Sequence, residues 1–394
     1  MRPLRILTVG HSYSVELNRS VMERIARDPR VEVTVVAPQF FHGDLRPITL
    51  EPSSHASYDL VGLPAHFSRY IHLFYYSGLD HVIESGYFDL IHAWQEPYIV
   101  AGFQVARAAG RAGIPYFFRT AQSLPKRYPP PFAQFERYCV EQSHGWVAGG
   151  TLVQRALLNR GYPRNNAEII TLGVDDDAFY PDKTEGAAIR RQLGLDDAPT
   201  IGFMGRLRAA KGLDVLMAAL EGVPGRWNLL VLGSGPYAVK IQSWAKAHGW
   251  SDRVRVLLVK HGEVPSYLRA MDILTVPSQT TRSWKEQFGR VIVEAFATGI
   301  PVIGSDSGEI PFLLDGVGLV VGEQDTLAWS KAIADLCDAP GWRKALGEAS
   351  RDRCHELYSA SRVAQRYLAY YRRLTDNGPS MRHSPDPDLV AQCY

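Results

Sequence analysis

Short apolar runs rich in Val, Ile and Leu recur along the chain and alternate with segments whose apolar residues are spaced three and four apart. Runs of the first kind include RILTVG, VEVTVVAP and DLIHAW near the start, and TIGFMG, NLLVLGSG and DILTVPS in the second half. Such runs, bounded by turn residues, are typical of buried strands, and the intervening spacing is typical of helices. Two of the helical segments, PYIVAGFQVARAAGRAG and TLVQRALLNRG, are predicted to end at Gly113 and Gly161, in the position that a helix C-cap favours. This alternation predicts an α/β protein with mostly parallel, doubly wound sheets.

The length of 394 residues leaves room for two domains at about 150 residues each. The polar stretch GVDDDAFYPDKTEG interrupts the alternation about midway. We therefore predict an N-terminal domain over 1–173, a linker over 174–186 and a C-terminal domain over 187–358. A last helical segment, 359–374, follows another helix with no strand between them and is predicted to pack back across both domains. The polar, Pro-rich residues 375–394 are predicted to form a disordered tail.

Composition narrows the class of protein. Apolar residues make up 46% of the chain and charged residues 21%, which is ordinary for a globular protein. The formal net charge is only +2, so no nucleic-acid partner is indicated. The four cysteines lie far apart without a CxxC pair, which predicts neither a zinc site nor a disulfide framework and favours a reducing cytoplasm. No run approaches the ~20 apolar residues of a membrane span, and the N-terminus is interpreted as a first strand rather than a signal peptide.

Glycines and basic residues follow two of the predicted strands. In open parallel sheets, ligands bind beyond the carboxyl ends of the strands. GFMGRLRAAKGLD places Gly205 and Arg206 after one strand and Lys211 at the start of the next helix. The arginine fork and the lysine point charge can converge on a diphosphate, although a solvated basic turn is the alternative. VLGSGP, with Gly233 and Gly235, is a second such turn, and turns of this kind also serve packing alone.

Two glutamates flank the apolar run in KEQFGRVIVEAFATGIP. A helix is predicted over 288–298, so Glu286 lies in the loop before it and Glu294 inside it. Their separation excludes one shared partner atom but allows both to hold one elongated ligand. A carboxylate can accept two hydrogen bonds from a vicinal diol, and free N–H groups near Gly289 favour an anion. The alternative is that Glu294 is an ordinary solvent-facing helix residue.

Several motifs occur together in a recognisable order. They are the E-x7-E pattern of Glu286 and Glu294 around Phe288 and Gly289, then EAFATGIPVIGSDSGEIP, and also GRLRAAKG, VLGSGP, AMDILTVPS and TLGVDDDAFYP. This combination resembles the retaining glycosyltransferases of GT-B fold, family 4, over nearly the whole chain up to about Leu374. The resemblance implies two Rossmann-like doubly wound domains facing across a cleft, with the C-terminal helix crossing back.

The resemblance also implies a role for each matching donor-side residue. Arg206 and Lys211 would hold the donor diphosphate and neutralise charge on the leaving nucleotide. Glu286 would hold hydroxyls of the donor sugar, and Glu294 would bind the ribose hydroxyls. The backbone near Phe288 and Gly289 would cradle the sugar and phosphate. The predicted donor-binding residues are Gly205, Gly235, Phe288, Gly289 and Glu294, and the predicted catalytic residues are Glu286, Arg206, Lys211 and Gln122.

The acceptor side departs from the family pattern. FFRTAQSLPKRYP places Gln122 where the family usually has a histidine, and a glutamine can position a sugar but cannot act as a general base. His92 and Glu96, in IHAWQEP, are alternative polar groups, although a strand-end histidine also fits a structural role. The first loop, GHSYSVELN, offers Gly10 and His11 in place of a double glycine.

A DxD pattern at Asp175, Asp176 and Asp177 could hold a divalent metal, but it falls in the predicted linker. Turn and cap aspartates are the preferred interpretation. Because Arg206 and Lys211 supply positive charge for the phosphates, we predict no metal and no cofactor besides the nucleotide-sugar co-substrate.

Two aromatic and basic stretches, FSRYIHLFYY and LPKRYPPPFAQFERY, lie in the N-terminal half. Arg and Lys beside Tyr and Phe suit a membrane interface or an acceptor surface. Core packing is the alternative for most of these aromatic residues. A peripheral contact with the inner face of a membrane is the resulting hypothesis.

We therefore predict a cytoplasmic hexosyltransferase that moves a sugar from a nucleotide diphosphate-sugar to a hydroxyl of a glycan or lipid-linked acceptor, with retention. Polysaccharide biosynthesis is the setting that the resemblance implies. One alternative is a sugar-nucleotide epimerase or hydrolase of similar build, which requires a titratable base. The other is a non-enzymatic two-domain sugar-binding protein, which the Arg-Lys pattern disfavours.

Overall fold

The computed structural model describes residues 2–43, 47–53 and 56–376 of the chain. These residues divide into two compact units. The first unit contains the residues up to Gly173 together with those from Ala360 on, and the second contains Val174–Ser359. Each unit is built on an all-parallel sheet with helices around it, as the strand and helix alternation predicts.

The strands of the first unit are β1 (Leu4–Val9), β2 (Val31–Pro38), β3 (Phe40–His42), β4 (Pro47–Thr49), β5 (Asp59–Leu63), β6 (Ala65–His66), β7 (Tyr75–Tyr76), β8 (Leu90–Ala93), β9 (Tyr116–Thr120), β10 (Trp146–Ala148) and β11 (Ala167–Ile169). In the described residues, seven of them form one parallel sheet in the order β11-β10-β9-β8-β1-β2-β5. The pairs β3-β4 and β6-β7 are short antiparallel ribbons. The strands are apolar on both faces because helices cover the sheet on both sides.

The helices of this part of the chain are α1 (Ser20–Ala26), α2 (Leu79–Ser85), α3 (Val100–Ala112), α4 (Phe132–Gln142) and α5 (Thr151–Leu158), with 3₁₀ turns at His11–Ser14 and Glu16–Arg19. As predicted, α3 ends at Gly113, whose φ of +68° is the left-handed conformation that closes a helix. The glycine predicted to close the next helical segment, Gly161, is confirmed in the same way. Regular α5 ends at Leu158, and Gly161 closes its last turn with a φ of +81°: its N–H donates to the Leu158 carbonyl and the Tyr162 N–H donates to the Leu157 carbonyl.

The second unit contains β12 (Thr200–Met204), β13 (Asn228–Leu232), β14 (Val254–Leu257), β15 (Ile273–Val276), β16 (Val302–Ser305) and β17 (Leu319–Val321). These strands are parallel in the order β14-β13-β12-β15-β16-β17. The sheet starts from its centre at β12 and grows in both directions, so the chain reverses between β12 and β15. Ligands of open α/β sheets bind at the carboxyl ends of the strands beside such a reversal.

The helices after α5 are α6 (Lys183–Gln192), α7 (Leu213–Glu221), α8 (Tyr237–Ala247), α9 (Val264–Leu268), α10 (Arg290–Thr298), α11 (Ile310–Leu314), α12 (Thr326–Asp338), α13 (Pro340–Arg353) and α14 (Ala360–Asp376). Short 3₁₀ turns occupy Ala209–Lys211 and His261–Glu263, and a π-helical turn occupies Cys354–Tyr358. Helix α6 begins inside the segment predicted as a linker, because the Asp182 side chain accepts a hydrogen bond from the Glu185 N–H and caps it.

Helix α14 returns to the first unit, where it packs against α1 and the sheet. Its tyrosines Tyr367, Tyr370 and Tyr371 are fully buried in that core. The helix was predicted over 359–374 and extends to Asp376. Residues 377–394 of the predicted disordered tail lie outside the described residues.

Candidate functional site

The loops after β12, β13 and β15 meet at the carboxyl edge of the second sheet. The Leu207 N–H donates to the Ser234 carbonyl, which joins the loops after β12 and β13. The Gln279 N–H donates to the Ala210 carbonyl, which joins the loops after β15 and β12. A Cβ at Gly212 would lie 1.7 Å from the Pro277 carbonyl oxygen, and its φ is +69°. Only glycine permits this approach, so the strand-end glycines bring the site residues together.

Lys211 and Glu286 form an ion pair at this edge. Lys211 Nζ lies 2.5 Å from Glu286 Oε2, and the Ser278 hydroxyl donates to the same oxygen at 2.7 Å. The Glu286 side chain is largely buried, while Lys211 is partly exposed. Among the described residues, Glu286 Oε1 has no hydrogen-bond partner. One carboxylate oxygen is thus committed to the protein, and the other is available to accept from a ligand hydroxyl.

The helix α10 begins at Arg290, two residues later than predicted, because Gly289 has a φ of +79° and cannot continue a helix toward its N-terminus. Gly289 is the N-cap of α10, and no side chain caps this end of the helix. The backbone N–H groups of the first turn therefore face the loop that carries Glu286. The side chain of Phe288 is buried and packs edge-on against Tyr358. Only the backbone of Phe288 can therefore take part in ligand binding.

Glu294 lies in the second turn of α10 and is partly buried. Burial raises the pKa of its carboxyl to about 7, against the weaker opposing effect of Arg290. No side chain in the described part of the chain hydrogen-bonds to this carboxylate. A buried carboxylate without a protein donor suits a ligand that brings its own hydroxyl donors. This position disfavours the interpretation of Glu294 as an ordinary solvent-facing residue.

The other predicted donor-side residues lie in the same strand-end loops. Gly205 follows β12 directly, and a Cβ at Gly233 would lie 1.9 Å from its carbonyl oxygen. Gly235 packs in the same way against the backbone of Leu207. Arg206 lies in the loop that follows β12 and is partly buried. The six predicted residues Gly205, Arg206, Lys211, Gly235, Glu286 and Gly289 all lie in loops that follow or flank this edge.

The first sheet has its own carboxyl edge, where Gly10 and His11 follow β1. A Cβ at Gly10 would lie 2.9 Å from the Tyr13 ring, so the loop is closed tightly around this aromatic residue. His11 Nδ1 lies 3.1 Å from Gln95 Oε1, and its ring stacks on Phe41 with ring centres 5.0 Å apart. Because β1 and β8 are neighbours, the residues after them meet.

Gln122 and Glu96 meet after the neighbouring strands β8 and β9. Glu96 accepts hydrogen bonds from the Thr120 hydroxyl at 2.6 Å and from the Ala121 N–H at 2.8 Å, and burial raises the pKa of its carboxyl. Gln122 is buried, with Oε1 accepting from the Leu124 N–H and Nε2 donating to the Tyr128 hydroxyl. Glu96 thus orders the loop that carries Gln122, and the Gln122 amide is held by its own loop and by the neighbouring tyrosines Tyr128 and Tyr98.

His92 does not lie at the acceptor edge. Its ring is fully buried, stacks on Phe117 with centres 4.5 Å apart, and its Nδ1 lies 2.9 Å from the Tyr371 hydroxyl of α14. Burial and the nearby Arg119 hold its pKa well below the usual value, so the ring is neutral. A side chain enclosed in this way cannot contact an acceptor. The geometry therefore favours a structural role for His92.

The Asp175–Asp177 stretch forms a turn. The Asp175 side chain accepts from the Asp177 N–H, and its carbonyl accepts from Ala178 and Phe179. Within the described residues there is no group of three or more His, Cys, Asp or Glu side chains placed to hold a metal ion. Turn formation accounts for these aspartates, and the independence of catalysis from metal stays a prediction.

Sequence patterns missed three residues that shape the two edges. Ser278 and Trp284 both contact the Lys211 and Glu286 pair, and Gln95 connects His11 to the Tyr76 hydroxyl. Ser278 directly follows β15 by two residues, a position at which a polar side chain is a signal of a site. Trp284 lies in a loop without periodicity, so its contact with Lys211 could only be found from the structure.

Comparison with known proteins shows the family of the chain. The glycosyl transferases group 1 family matches residues 186–353. A D-inositol 3-phosphate glycosyltransferase of Xylanimonas cellulosilytica is 31% identical over 319 residues, covering 75% of this chain and 74% of that protein. A GDP-mannose-dependent alpha-(1-6)-phosphatidylinositol monomannoside mannosyltransferase of Mycolicibacterium smegmatis is 34% identical over 197 residues, covering 48% and 52% of the two chains.

Solved structures agree on the fold. A glycosyltransferase from Rickettsia africae superimposes with a TM-score of 0.76 at 15% identity, covering 96% of this chain and all of that one. Anabaena HepE, solved in complex with UDP and glucose, gives 0.71 at 16% identity, covering 93% of this chain and 98% of that one. The two doubly wound units are those of a GT-B glycosyltransferase. The chain belongs to the glycosyl transferases group 1 family.

In the described residues, no helix combines the length and apolarity needed to cross a bilayer.

Proposed function

We propose that the enzyme transfers a hexosyl group from a nucleoside diphosphate sugar to a hydroxyl of a glycan or lipid-linked acceptor, with retention of anomeric configuration. The observation that carries this proposal is the Lys211–Glu286 pair, at 2.5 Å, beside the N-terminus of α10. A cation, a carboxylate with one uncommitted oxygen and free backbone N–H groups match the phosphate and hydroxyl groups of such a donor.

Each donor-side residue has a distinct role in this proposal. Arg206 and Lys211 hold the diphosphate and stabilise the negative charge that develops as it leaves. Glu286 accepts from hydroxyls of the transferred sugar through Oε1. Glu294 accepts from the ribose diol, which requires its ionised form. No metal takes part, because the two cations supply the positive charge.

In the transfer step, the bond between the anomeric carbon and the donor phosphate oxygen breaks, and a bond from the acceptor oxygen to that carbon forms. The acceptor proton passes to the departing phosphate, which is the base in this proposal. Gln122 has a positioning role for the sugar in this proposal, since it cannot titrate and so cannot act as a general base. On the acceptor side, Gly10 and His11 line the first loop, and Glu96 keeps the Gln122 loop in place.

The named relatives indicate acceptor classes. Their names give inositol phosphate and phosphatidylinositol monomannoside as acceptors, and GDP-mannose as one donor. We propose for this chain what these acceptors have in common, which is a hydroxyl group on a polyol or a glycolipid.

Binding of nucleotides tests the proposal first. Uridine, guanosine and adenosine diphosphates and their common sugars are titrated against the wild type, Glu294→Ala and the matched control Glu348→Ala, an exposed helix position in the same unit. One base series is expected to raise the melting temperature of the wild type and the control, because a ligand at 100 times its Kd stabilises by about 2.7 kcal/mol. Glu294→Ala should respond much less.

The transfer itself is then assayed with the selected donor and a panel of polyol and glycolipid acceptors, and the anomeric configuration of the product is measured by NMR. A product with inverted configuration contradicts the mechanism. Release of nucleotide with an altered sugar in the absence of acceptor would instead favour an epimerase or hydrolase.

The proposal includes a peripheral membrane contact at the cytoplasmic face. An aromatic surface supports it, formed by Phe67, Tyr70, Ile71, Leu73 and Tyr75, all exposed in the first unit. Phe67 and Tyr70 are each 63% exposed, and the exposed Arg69 lies between them. Aromatic rings with an adjacent cation suit the boundary of an anionic bilayer.

Flotation with phosphatidylglycerol-containing liposomes tests this contact. The triple variant Phe67→Ser, Tyr70→Ser, Ile71→Ser is expected to lose binding, while Leu327→Ser, which removes a still more exposed apolar side chain from the second unit, should keep it. Wild-type protein that stays unbound at low salt contradicts the membrane contact.

A further inference from the structure

Trp284 contacts the Lys211 ammonium in addition to Glu286. Lys211 Nζ lies 4.6 Å from the centre of the Trp284 ring and 2.5 Å from Glu286 Oε2. The face of an indole ring attracts a cation through its electron density, and tryptophan does so more strongly than the other aromatic residues. We propose that Trp284 is a positioning residue, which fixes the Lys211 ammonium where the donor diphosphate binds. This inference rests on the proposed diphosphate role of Lys211.

The loop before Glu286 is built to hold the tryptophan. The Thr281 N–H donates to the Trp284 carbonyl at 2.7 Å, and the Trp284 N–H donates to the Thr281 hydroxyl oxygen at 3.0 Å. Thr281 therefore closes a tight four-residue turn with both its backbone N–H and its hydroxyl group. Trp284 is partly exposed, and this turn fixes its backbone beside Lys211.

The Trp284 ring gives the Lys211 ammonium a second point of contact, beyond the Glu286 carboxylate. A lysine side chain has a flexible four-carbon stem, and a single carboxylate contact fixes one point of the ammonium. The indole face supplies a second point without using an N–H donor. In the described residues, Glu286 is the one hydrogen-bond acceptor of this ammonium, so two of its three N–H donors are uncommitted. The diphosphate can therefore bind to a lysine that is already ordered.

Calorimetric titration of the full-length protein with the selected nucleoside diphosphate and with its nucleoside tests the proposal. Trp284→Leu is expected to weaken diphosphate binding by roughly three- to thirty-fold and to leave nucleoside binding unchanged. Trp284→Phe should fall between the wild type and Trp284→Leu, since a phenyl ring attracts a cation more weakly. Trp342→Leu removes a partly exposed tryptophan from α13 and is the matched control, expected to bind as the wild type does.

A double-mutant cycle separates positioning of Lys211 from a general effect on the loop. If Trp284 acts through Lys211, then Trp284→Leu has no further effect on diphosphate affinity in a Lys211→Met background. Equal losses in both backgrounds overturn the proposal, as does equal weakening of nucleoside and diphosphate binding. A Trp284→Phe variant no better than Trp284→Leu also overturns it, because the ring would then not be the active feature.

These outcomes are distinct from failure of the proposed function. If the wild type binds no nucleoside diphosphate, the donor site itself is wrong and so is the positioning role. If the wild type and the control bind and Trp284→Leu binds equally well, only the positioning role is wrong. Melting temperatures of the ligand-free variants, expected to lie close to that of the wild type, confirm that the loop variants are folded.

Discussion

The carboxyl edges of the two sheets are built from different chemistry. At the edge of the second sheet, glycines bring the strand-end loops into backbone contact, and a cation, a carboxylate and a helix N-terminus lie in the space between. At the edge of the first sheet, amide and aromatic side chains dominate. Glu96 holds the loop that carries Gln122, and Gln122 bonds within that same loop. The difference matches the ligands proposed for them, since a diphosphate and a ribose are common to many donors whereas acceptors vary.

The largest expected effect is on kcat/KM and concerns the charged residues at the edge of the second sheet. Lys211→Met should lower kcat/KM by roughly 10²–10³-fold, because it removes a cation that stabilises the leaving diphosphate. Gln122→Ala, at the other edge, should lower it by no more than about tenfold. Initial rates with the selected donor measure both, and Lys240→Met, which removes an exposed ion pair with Asp214, is the control. A Gln122→Ala loss equal to that of Lys211→Met would break the comparison.

The second prediction concerns the glycine contacts. In Gly212→Ala, the new Cβ would meet the Pro277 carbonyl at 1.7 Å, so the free energy of unfolding should fall by about 3 kcal/mol. Gly225 has a similar φ of +75° with nothing within 4 Å, and Gly225→Ala should cost only about 1 kcal/mol. Both variants share the backbone strain, so the difference in urea unfolding isolates the loop contact. Equal losses would contradict the packing role of Gly212.

Glu294 provides the third test, through pH. Its pKa is raised from 4.5 in a model peptide to about 7, so the folded protein binds the proton more tightly than the unfolded chain. This carboxyl therefore lowers the free energy of unfolding as pH rises from about 4.5 to 7, by about 3 kcal/mol in total. Relative to the wild type, Glu294→Gln should be more stable at pH 8 than at pH 5, measured by urea unfolding.

Nucleotide affinity should show the opposite dependence. Only the ionised Glu294 accepts two hydrogen bonds from the ribose diol, so affinity of the wild type should increase as pH rises through 7, while Glu294→Gln binds weakly at every pH. Glu348→Gln is the control for both measurements. A wild-type affinity that is flat between pH 6 and 8 would count against the ribose role.

The smallest predicted effect belongs to the first unit. The pKa of His92 lies well below 6.5 in the folded protein, so below pH 6.5 the unfolded chain binds a proton that the folded protein does not. Stability therefore falls by up to about 1.4 kcal/mol for each pH unit below 6.5. His92→Phe keeps the ring stacking and should flatten this decline between pH 6.5 and 5. The exposed His81→Phe should leave the slope unchanged, and a similar slope in all three proteins would contradict a neutral buried His92.

The comparison also explains what the sequence could predict. The two parallel sheets and the donor-side positions followed from local patterns, because strand, glycine turn and helix are adjacent in sequence. The contacts of Trp284, Ser278 and His92 join distant segments of the chain. His92 and its partner Tyr371, for example, are 279 positions apart. The start of α10 was misplaced at Phe288, because the left-handed conformation of Gly289 overrides the apolar spacing. The role of His92 required knowledge of α14, which no motif near β8 contains.

The return of α14 to the first unit has a consequence for biosynthesis. The second unit, Val174–Ser359, is continuous in sequence, so all of its strands have been translated before the chain ends. The first unit buries Tyr367, Tyr370 and Tyr371 of α14 in its core, and these residues emerge from the ribosome only after the whole of the second unit. Until then, one face of the first sheet is uncovered, and domains fold as units only once their segments are available. The half of the enzyme that is translated first is therefore the half that is completed last.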